Sequence, residues 1–203
     1  MARRNDHTKE ELRELALNAA EALVAKEGLS GLSARKVAAS IGYSAGSLYQ
    51  LFASIDELCW ELNSRTLSVL LQQLVESEQP CAAQEQLHAY ALCYYEFAIR
   101  HTSSWSLLFE HKSSTCNALP VKLTAQIEDL FAQIERPLMH LNKSKTPKEV
   151  ALAAKTLWSG VHGITTLAVN RKLFLSIDGA EIAMLDCLIS SFLEGWCKEK
   201  PAC

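Results

Sequence analysis

One short stretch of this 203-residue sequence constrains the fold more than any other: residues 33–52, which read SARKVAASIGYSAGSLYQLF. Its first half has the pattern of a short helix, in which Ser33 is a natural N-cap and the apolar residues at helical spacing are Val37, Ala38 and Ile41. Gly42 follows, and glycine adopts the left-handed conformation that ends a helix without steric cost. The stretch therefore begins as a helix and then turns sharply.

A second short helix is predicted directly after this turn. Ser44 is its natural N-cap, and the residues expected to face inward are Leu48, Leu51 and Phe52. Two small helices joined by a three- or four-residue turn that contains Gly form a helix-turn-helix unit, whose second helix lies in the major groove of DNA. The alternative is a hairpin of small residues that only contributes to packing.

The charge pattern around this unit favours a surface that meets phosphates. No Asp or Glu occurs from Gly28 to Ile55, although 23 of the 203 residues are acidic, and Arg35 and Lys36 lie inside this gap. A carboxylate would repel the DNA backbone that such a surface approaches. Residues 1–60 nevertheless carry seven Lys or Arg against eight Asp or Glu, so the predicted contact depends on where individual cations lie.

The residues around the turn resemble the DNA-binding segment of the tetracycline-repressor (TetR) family. The shared pattern is an Ile/Val-Ala pair, a Gly-hydrophobic-Ser turn, a small-Ser-Leu-Tyr run, a Phe and an acidic helix start, here Val37-Ala38, Gly42-Tyr43-Ser44, Gly46-Ser47-Leu48-Tyr49, Phe52 and Asp56-Glu57-Leu58. The resemblance is dense over residues 8–60. It implies an all-α protein of about nine helices: a three-helix DNA-binding domain with the helix-turn-helix at 1–53, then a helical ligand-binding and dimerisation domain at 54–203.

A second element, near the C-terminus, resembles the same family. Residues 157–163 read LWSGVHG, and this W-x-x-x-H-G run is similar to the Trp-His-Gly element of one class of TetR-family C-terminal domain. We expect it on a mostly apolar helix from Val150 to about Phe174, in which Gly160 and Gly163 allow a neighbouring helix to approach closely. Asp178 is expected to cap the last helix.

Caps and apolar residues predict the remaining helices. Capping boxes, in which Ser or Thr is followed three residues later by Glu, mark helix starts at Thr8-Glu11, Ser54-Glu57 and Thr146-Glu149. The apolar face of the first helix is predicted to be Leu12, Leu15, Ala16, Ala19, Leu23 and Val24. Pro137 is expected to kink or end a helix over about residues 119–141.

Composition narrows the class of protein further. The sequence has no 18-residue apolar run and its N-terminus is not a charged end followed by an apolar block, so we expect a soluble, cytoplasmic protein without a membrane segment. Seven cysteines without CxxC or Cys/His finger spacing predict reduced thiols, with a redox-sensing pair left open. No cofactor and no metal site are predicted.

The resemblance implies a set of residues that contact a double-stranded DNA operator. Arg35 matches a position that reaches a guanine edge, Gln50 is suited to adenine, and Ala45 to a thymine methyl. Hydroxyls and helix-start N–H groups are suited to phosphate contacts. The full predicted set is Ser33, Arg35, Lys36, Ser44, Ala45, Gly46, Ser47, Tyr49 and Gln50. Ile55 stands where many members have a Lys, so a usual phosphate contact is missing.

The family also implies a homodimer through the last two helices and a small-molecule effector of unknown identity. Two-fold symmetry would place two recognition helices about 34–36 Å apart, matching a palindromic operator. The effector pocket of the family lies among the middle helices, and its candidate residues here are Tyr94, His101, Trp105, Phe109, Trp158 and His162. This aromatic set, which has no Arg or Lys, indicates a neutral or flat apolar effector.

Two other readings remain. Residues 42–46, GYSAG, fit the G-x-S-x-G nucleophile elbow of α/β-hydrolases, but that motif needs a preceding strand, and Ala34 to Ser40 are helix formers. We therefore predict no enzyme. The second reading is a helical dimer that acts as a ligand- or redox-responsive interaction protein without DNA readout, which would leave the acid-free gap unexplained.

Overall fold

A computed structural model describes residues 7–78, 82–113, 118–174 and 179–198. Over these ranges the protein is all-helical and the predicted number of helices is confirmed. The helices are α1 Lys9–Glu27, α2 Ala34–Ser40, α3 Ala45–Tyr49, α4 Ile55–Glu76, α5 Ala83–Arg100, α6 Thr102–Glu110, α7 Val121–Leu141, α8 Pro147–Val169 and α9 Ala180–Cys197, with a 3-10 turn at Leu29–Gly31. None of the helices in these ranges is both long and apolar enough to cross a membrane.

The chain forms two compact units. The first contains the residues up to Leu67 together with Ser103–Thr124, and the second contains Ser68–Thr102 and the residues from Ala125 onward. Helix α4 contributes its first part to one unit and its last part to the other. These units divide the chain by packing, so the functional domain boundary after residue 53 stays a prediction.

The core of the first unit is built from one face each of α1, α2, α3 and α4, together with Leu107 of α6. Leu48, Leu51 and Phe52 are buried in it, as the sequence predicts, beside Val37 and Ala38 of α2. The predicted face of α1 is wrong in part, because Leu15 is 38% exposed whereas Leu17 and Ala20 are buried. The buried face of α1 includes the small side chains of Ala16 and Ala20, which pack in the core of the first unit, and it is therefore rotated relative to the predicted face.

Two arginines tie α1 to α4 within this unit. The Arg13 guanidinium lies 4.2 Å from the centre of the Phe52 ring and donates hydrogen bonds to Glu57, Glu61 and the Leu51 carbonyl. In the opposite direction, Arg65 of α4 donates hydrogen bonds to three α1 side chains, those of Glu14, Asn18 and Glu21. Such partly buried, multiply bonded guanidiniums fix helix orientation better than single exposed ion pairs.

The second unit packs α5 against α8 and α9. At Gly160 of α8, an added Cβ would lie 2.7 Å from Leu188 Cδ2, so the predicted close approach at this glycine is confirmed. The same prediction for Gly163 is wrong within the chain, since nothing lies within 4 Å of a Cβ there. The Trp196 indole donates to the Leu138 carbonyl at 3.1 Å, which joins the end of α9 to α7.

Three predictions concern helix ends. The predicted end of α7 near residue 141 is confirmed, and of the two alternatives for Pro137 the early stop is wrong, because the helix runs on to Leu141. Helix α8 ends at Val169 rather than near Phe174, because Arg171 and Phe174 both adopt φ +54°, which is incompatible with a continuing helix. Helix α9 begins after Gly179, which has left-handed φ and makes no side-chain cap; the predicted cap Asp178 lies outside the described residues.

Candidate nucleic-acid interface and ligand cavity

The turn between α2 and α3 forms as the sequence predicts. The Ser33 hydroxyl accepts a hydrogen bond from the Lys36 backbone N–H at 3.3 Å and starts α2. Gly42 has φ +76°, and the next residue closes the turn by a bond from its N–H to the Ala38 carbonyl at 2.9 Å. Ser44 then accepts from the Ser47 N–H at 3.1 Å and starts α3. Each cap satisfies a backbone donor that a helix start leaves unpaired.

The outward side of this unit carries the predicted base-reading residues. Tyr49 is 54% exposed and Gln50 is exposed, whereas Leu48 on the inner side of α3 is buried. Arg35 on α2 is exposed and makes no hydrogen bond or ion pair with any residue that the structure describes. Gly46 is exposed and Ala45 is half-buried, so small side chains leave α3 open to a close approach. A surface of this kind suits the major groove.

Lys36 differs from Arg35, because it is held by an acid that lies just outside the acid-free gap. Its ammonium lies 2.6 Å from the Glu27 carboxylate at the end of α1. The hydrogen bond and charge of Lys36 hold the pKa of Glu27 below its usual value. The linear sequence missed this pairing, since the two residues meet only through the turn that joins α1 to α2.

Two of the serines predicted to contact DNA, Ser33 and Ser44, make hydrogen bonds with the protein backbone. Ser33 and Ser44 accept cap hydrogen bonds, and the Ser44 and Ser47 hydroxyl oxygens lie 3.0 Å apart. Ser44 therefore stands at a helix start between two helices, and no strand occurs in the described residues to build a nucleophile elbow around it. The G-x-S-x-G reading is inconsistent with this geometry.

The second unit contains a cavity of about 40 Å³. Its walls come from α4, α5, α7, α8 and α9, and the lining residues are aliphatic except for Tyr90, Tyr94 and Trp158. Two of the six predicted effector-contacting residues, Tyr94 and Trp158, therefore line one cavity. Ligand pockets for small molecules are commonly about 300–1,000 Å³, so this cavity must expand to admit a ligand.

His162 contacts both of these aromatic residues. Its Nδ1 lies 2.8 Å from the Tyr94 hydroxyl, and its ring stacks on Trp158 with centroids 5.0 Å apart. Nε2 lies 3.3 Å from the Thr166 hydroxyl, one turn along α8. Burial lowers the pKa of His162, which keeps the imidazole neutral at pH 7. The structure thus gathers Tyr94, Trp158 and His162 into one cluster.

Two family models match the sequence. The model described as "Tetracyclin repressor-like, C-terminal domain" matches residues 87–190, and the model described as "Bacterial regulatory proteins, tetR family" matches residues 16–62. The first covers half of the chain, and the second contains the helix-turn-helix described above. The chain belongs to the TetR family. Members are transcriptional regulators that bind DNA, so this protein is a DNA-binding transcriptional regulator rather than a member of an enzyme family.

Solved structures of TetR-like proteins share the fold. A protein of unknown function from Rhodococcus sp. RHA1 is 22% identical with a TM-score of 0.76, over 97% of this chain and 100% of that chain. The TetR family transcriptional regulator PfmR from Thermus thermophilus is 16% identical with a TM-score of 0.63, over 88% and 97%. The regulator FadR from Bacillus subtilis, solved in complex with stearoyl-CoA, is 15% identical with a TM-score of 0.67, over 90% and 98%. No curated protein matches the sequence.

Three residues predicted for the effector pocket of this TetR-family protein lie elsewhere. His101 follows the last residue of α5, with its ring 4.7 Å from that of Phe97. Trp105 and Phe109 pair with each other on α6, with centroids 5.1 Å apart, and belong to the first compact unit. None of the three lines the cavity: its α5 wall is built from the earlier turns that carry Tyr90 and Tyr94, and α6 contributes no residue to it. A ligand contact by any of them stays a prediction.

Sequence reasoning missed a buried polar cluster in the first unit of this TetR-family chain. The Asp56 carboxylate, 4% exposed in the first turn of α4, lies 2.9 Å from His111 Nε2 and accepts from the Ser113 hydroxyl at 3.1 Å. Burial, with the charge of Asp56, raises the pKa of Cys59 to about 12. No group of His, Cys, Asp and Glu within the described ranges has a metal-binding arrangement. The contacts of Asp56 with His111 and Ser113 join the first turn of α4 to the residues that follow α6.

Proposed function

We propose that this protein is a homodimeric repressor that holds a palindromic operator and releases it when a small molecule fills the cavity of the second unit. The observation that carries the DNA-binding part is the capped helix-turn-helix, whose outward side presents Arg35, Tyr49 and Gln50. The bound repressor blocks transcription by occupying the operator. An effector releases it only if it binds the conformation that does not fit the operator more tightly than the conformation that does.

Each exposed residue of the helix-turn-helix has a distinct role in this proposal. Arg35 donates two hydrogen bonds to a guanine edge, Gln50 pairs with adenine, and Ala45 contacts a thymine methyl. The Tyr49 hydroxyl and the serine hydroxyls at the two helix starts bind phosphates. Direct base contacts set sequence preference, whereas phosphate contacts set affinity for any duplex.

The outer side of α9 supports dimerisation through the last two helices. Four small residues four positions apart are all exposed on this helix: Ala183, Cys187, Ser191 and Gly195. Residues four apart are neighbours on a helix surface, so the four form a slanting stripe, and small side chains let a second helix approach closely. Leu152 and Leu167 of α8 are 68% and 43% exposed and add apolar surface to the same pair of helices.

The first experiment measures binding to DNA by fluorescence anisotropy. An operator is selected from a random duplex library, or taken as the palindrome upstream of the reading frame. Arg35→Ala is expected to lose sequence preference, since a good bidentate base contact is worth about 1–3 kcal/mol of discrimination. Tyr49→Phe is expected to weaken binding to all duplexes evenly. Lys148→Ala removes one exposed charge from the second unit and serves as the control.

The outcomes of this experiment show whether the protein prefers particular DNA sequences and which residues read them. If Arg35→Ala loses preference while Lys148→Ala binds as wild type, the readout is local to the helix-turn-helix. If wild type selects no sequence from the library, the proposed base contacts of Arg35, Gln50 and Ala45 and the palindromic operator are refuted.

The second experiment tests the dimer. Ala183→Arg places a long charged side chain on the small-residue face of α9, and we expect it to convert the dimer to a monomer in light scattering after size-exclusion chromatography. Ala125→Arg makes the same change at an exposed position of α7 and is expected to leave the dimer intact. A dimer that survives Ala183→Arg and not Ala125→Arg would place the interface on α7.

A further inference from the structure

The guanidinium of Arg13 in α1 reaches the end of α3, the second helix of the helix-turn-helix. Its Nη1 donates to the backbone carbonyl of Leu51, two residues beyond the last residue of α3, and its Cζ lies 4.2 Å from the centre of the Phe52 ring. Leu51 is 8% exposed, and a buried carbonyl needs a hydrogen-bond donor. Arg13 therefore holds the segment that directly follows α3.

The other nitrogens of the same guanidinium bind the first two turns of α4. Nε donates to Glu61 Oε2 at 3.1 Å, and Nη2 donates to Glu61 Oε1 and, at 3.0 Å, to Glu57 Oε1. The second oxygen of Glu57 accepts from the Ala53 backbone N–H at 2.6 Å. Residues 51–53 are thus held to α4 by the Arg13 guanidinium and by a carboxylate that this guanidinium also binds.

This arrangement bears on the end of α3 that is proposed to read bases. Gln50 directly precedes Leu51, and a trans peptide keeps their Cα atoms about 3.8 Å apart, so a shift of Leu51 displaces Gln50 as well. Helix α3 has only five residues, and so short a helix depends on contacts outside itself. Hydrogen bonds from side-chain N–H groups span only about 2.7–3.2 Å, so a small displacement weakens base readout.

Arg65 provides a comparison within the same unit. Its side chain is 30% exposed, close to the 27% of Arg13, and it also joins α1 to α4. Its hydrogen bonds go to Glu14, Asn18 and Glu21, all of them residues of α1. These bonds therefore connect the same two helices without involving the segment after α3.

We propose that Arg13 is a positioning residue for DNA readout: by holding the Leu51 carbonyl against α4, it sets where the end of α3, and with it Gln50, meets the base edges. The inference rests on the proposed function, because it takes Gln50 as a base reader. The charge and the donors of Arg13 are used inside the protein, so it acts through α3 and not by contacting a base or a phosphate.

The test measures base preference at each operator position, by anisotropy competition with duplexes that each carry one base-pair change. Gln50→Ala and Arg35→Ala first assign the base pairs that each residue reads. Arg13→Met keeps an unbranched stem beside Phe52 and removes every donor. We expect it to lower the preference at the Gln50 base pairs on the order of tenfold. The preference at the Arg35 base pairs should stay within about twofold, because α2 has its own cap and core contacts.

The base preference separates positioning from a purely structural role. A ratio of two affinities does not depend on the fraction of protein that is folded, so a loss of stability alone cannot change it. Arg65→Met makes the same change in the other arginine, and we expect a lower melting temperature with the wild-type preference at every base pair. The slope of log K against log salt concentration is expected to be unchanged in Arg13→Met, because Arg13 neutralises no phosphate.

Arg13→Lys keeps the inference testable if Arg13→Met does not fold. Lysine keeps the positive charge beside Glu57 and Glu61 but lacks the planar fork that reaches a carbonyl and two carboxylates together. We expect this variant to fold and to lose preference at the Gln50 base pairs.

Three results overturn the inference: the folded Arg13 variants keep the wild-type preference, Arg65→Met changes it in the same way, or the salt slope of Arg13→Met falls by about 1.8, which means that Arg13 of each subunit meets a phosphate. If Gln50→Ala lowers the preference and the Arg13 variants do not, the proposed base contact stands and only the positioning role fails. If Gln50→Ala leaves every preference unchanged, the base contact of Gln50 is refuted, and the positioning role with it.

Discussion

The ion pair between Lys36 and Glu27 leads to a prediction about DNA binding. Glu27→Gln removes the acid that lies 2.6 Å from the Lys36 ammonium while keeping the length of the side chain. The pair is partly exposed, at 50% for Lys36 and 35% for Glu27, so it contributes little to folding and the variant is expected to fold normally. The released ammonium then neutralises a DNA phosphate without competition from a carboxylate.

The size of the effect follows from counterion release. Each phosphate that a protein neutralises adds about 0.9 to the slope of log K against log salt concentration for B-DNA. A dimer has two copies of Lys36, so the slope is expected to steepen by about 1.8. Between 50 and 200 mM salt this corresponds to an additional loss of affinity of about tenfold relative to wild type.

The assay is fluorescence anisotropy on one operator duplex at four salt concentrations. Glu21→Gln is the matched control, because it removes an acid of the same helix whose partner is Arg65 of α4. Glu27→Gln combined with Lys36→Gln is expected to lose the gain in slope. If the slope of Glu27→Gln equals that of wild type, Lys36 does not meet a phosphate and the reasoning from the ion pair is refuted.

Three further predictions concern stability and reactivity. Gly163→Ala is expected to stabilise the protein by about 0.5–1 kcal/mol in urea unfolding, since Ala is the better helix former and its methyl meets no atom within 4 Å; Gly160→Ala should gain less, because its methyl meets Leu188 at 2.7 Å. Burial lowers the pKa of His162 in the folded protein, so on acidification the imidazole of the unfolded chain is protonated first. The free energy of unfolding is therefore expected to fall as the pH drops below 6.5. In His162→Gln this pH dependence should be weaker, as urea unfolding at several pH values would show. Cys59, whose pKa burial raises to about 12, should resist iodoacetamide until urea unfolds the protein, as mass spectrometry of its peptide would show; labelling of the native protein would contradict its burial.

Local hydrogen bonds explain why the helix starts could be predicted. The caps at Thr8, Ser33, Ser44 and Thr146 all form with a partner three residues along the chain. Gly42 likewise has the left-handed φ that its place after an apolar helix predicts. These features depend on neighbours in the sequence, so residue identity and spacing are enough to predict them.

Contacts between distant residues explain what could not be predicted. Arg13 meets Glu57 and Glu61, and Asp56 meets His111, across separations that no spacing rule anticipates. The face of α1 shows the same limit, since the choice between Leu15 and Leu17 depends on which helices lie against it. Contacts of long side chains are also hard to predict from a helical pattern, because a residue on the exposed side of a helix can still reach a partner on another element.

The sequence by itself determined the all-helical class, the capped helix-turn-helix and the family, because each depends on residue types at short spacing. Only the tertiary structure decided that Lys36 is paired with Glu27 whereas Arg35 is not. It also decided that Tyr94, Trp158 and His162 form one cluster to which Trp105 and Phe109 do not belong. Aromatic residues at helical spacing are equally suited to any apolar interior. Which interior they enter is fixed by the packing of whole helices, which bury their faces as units.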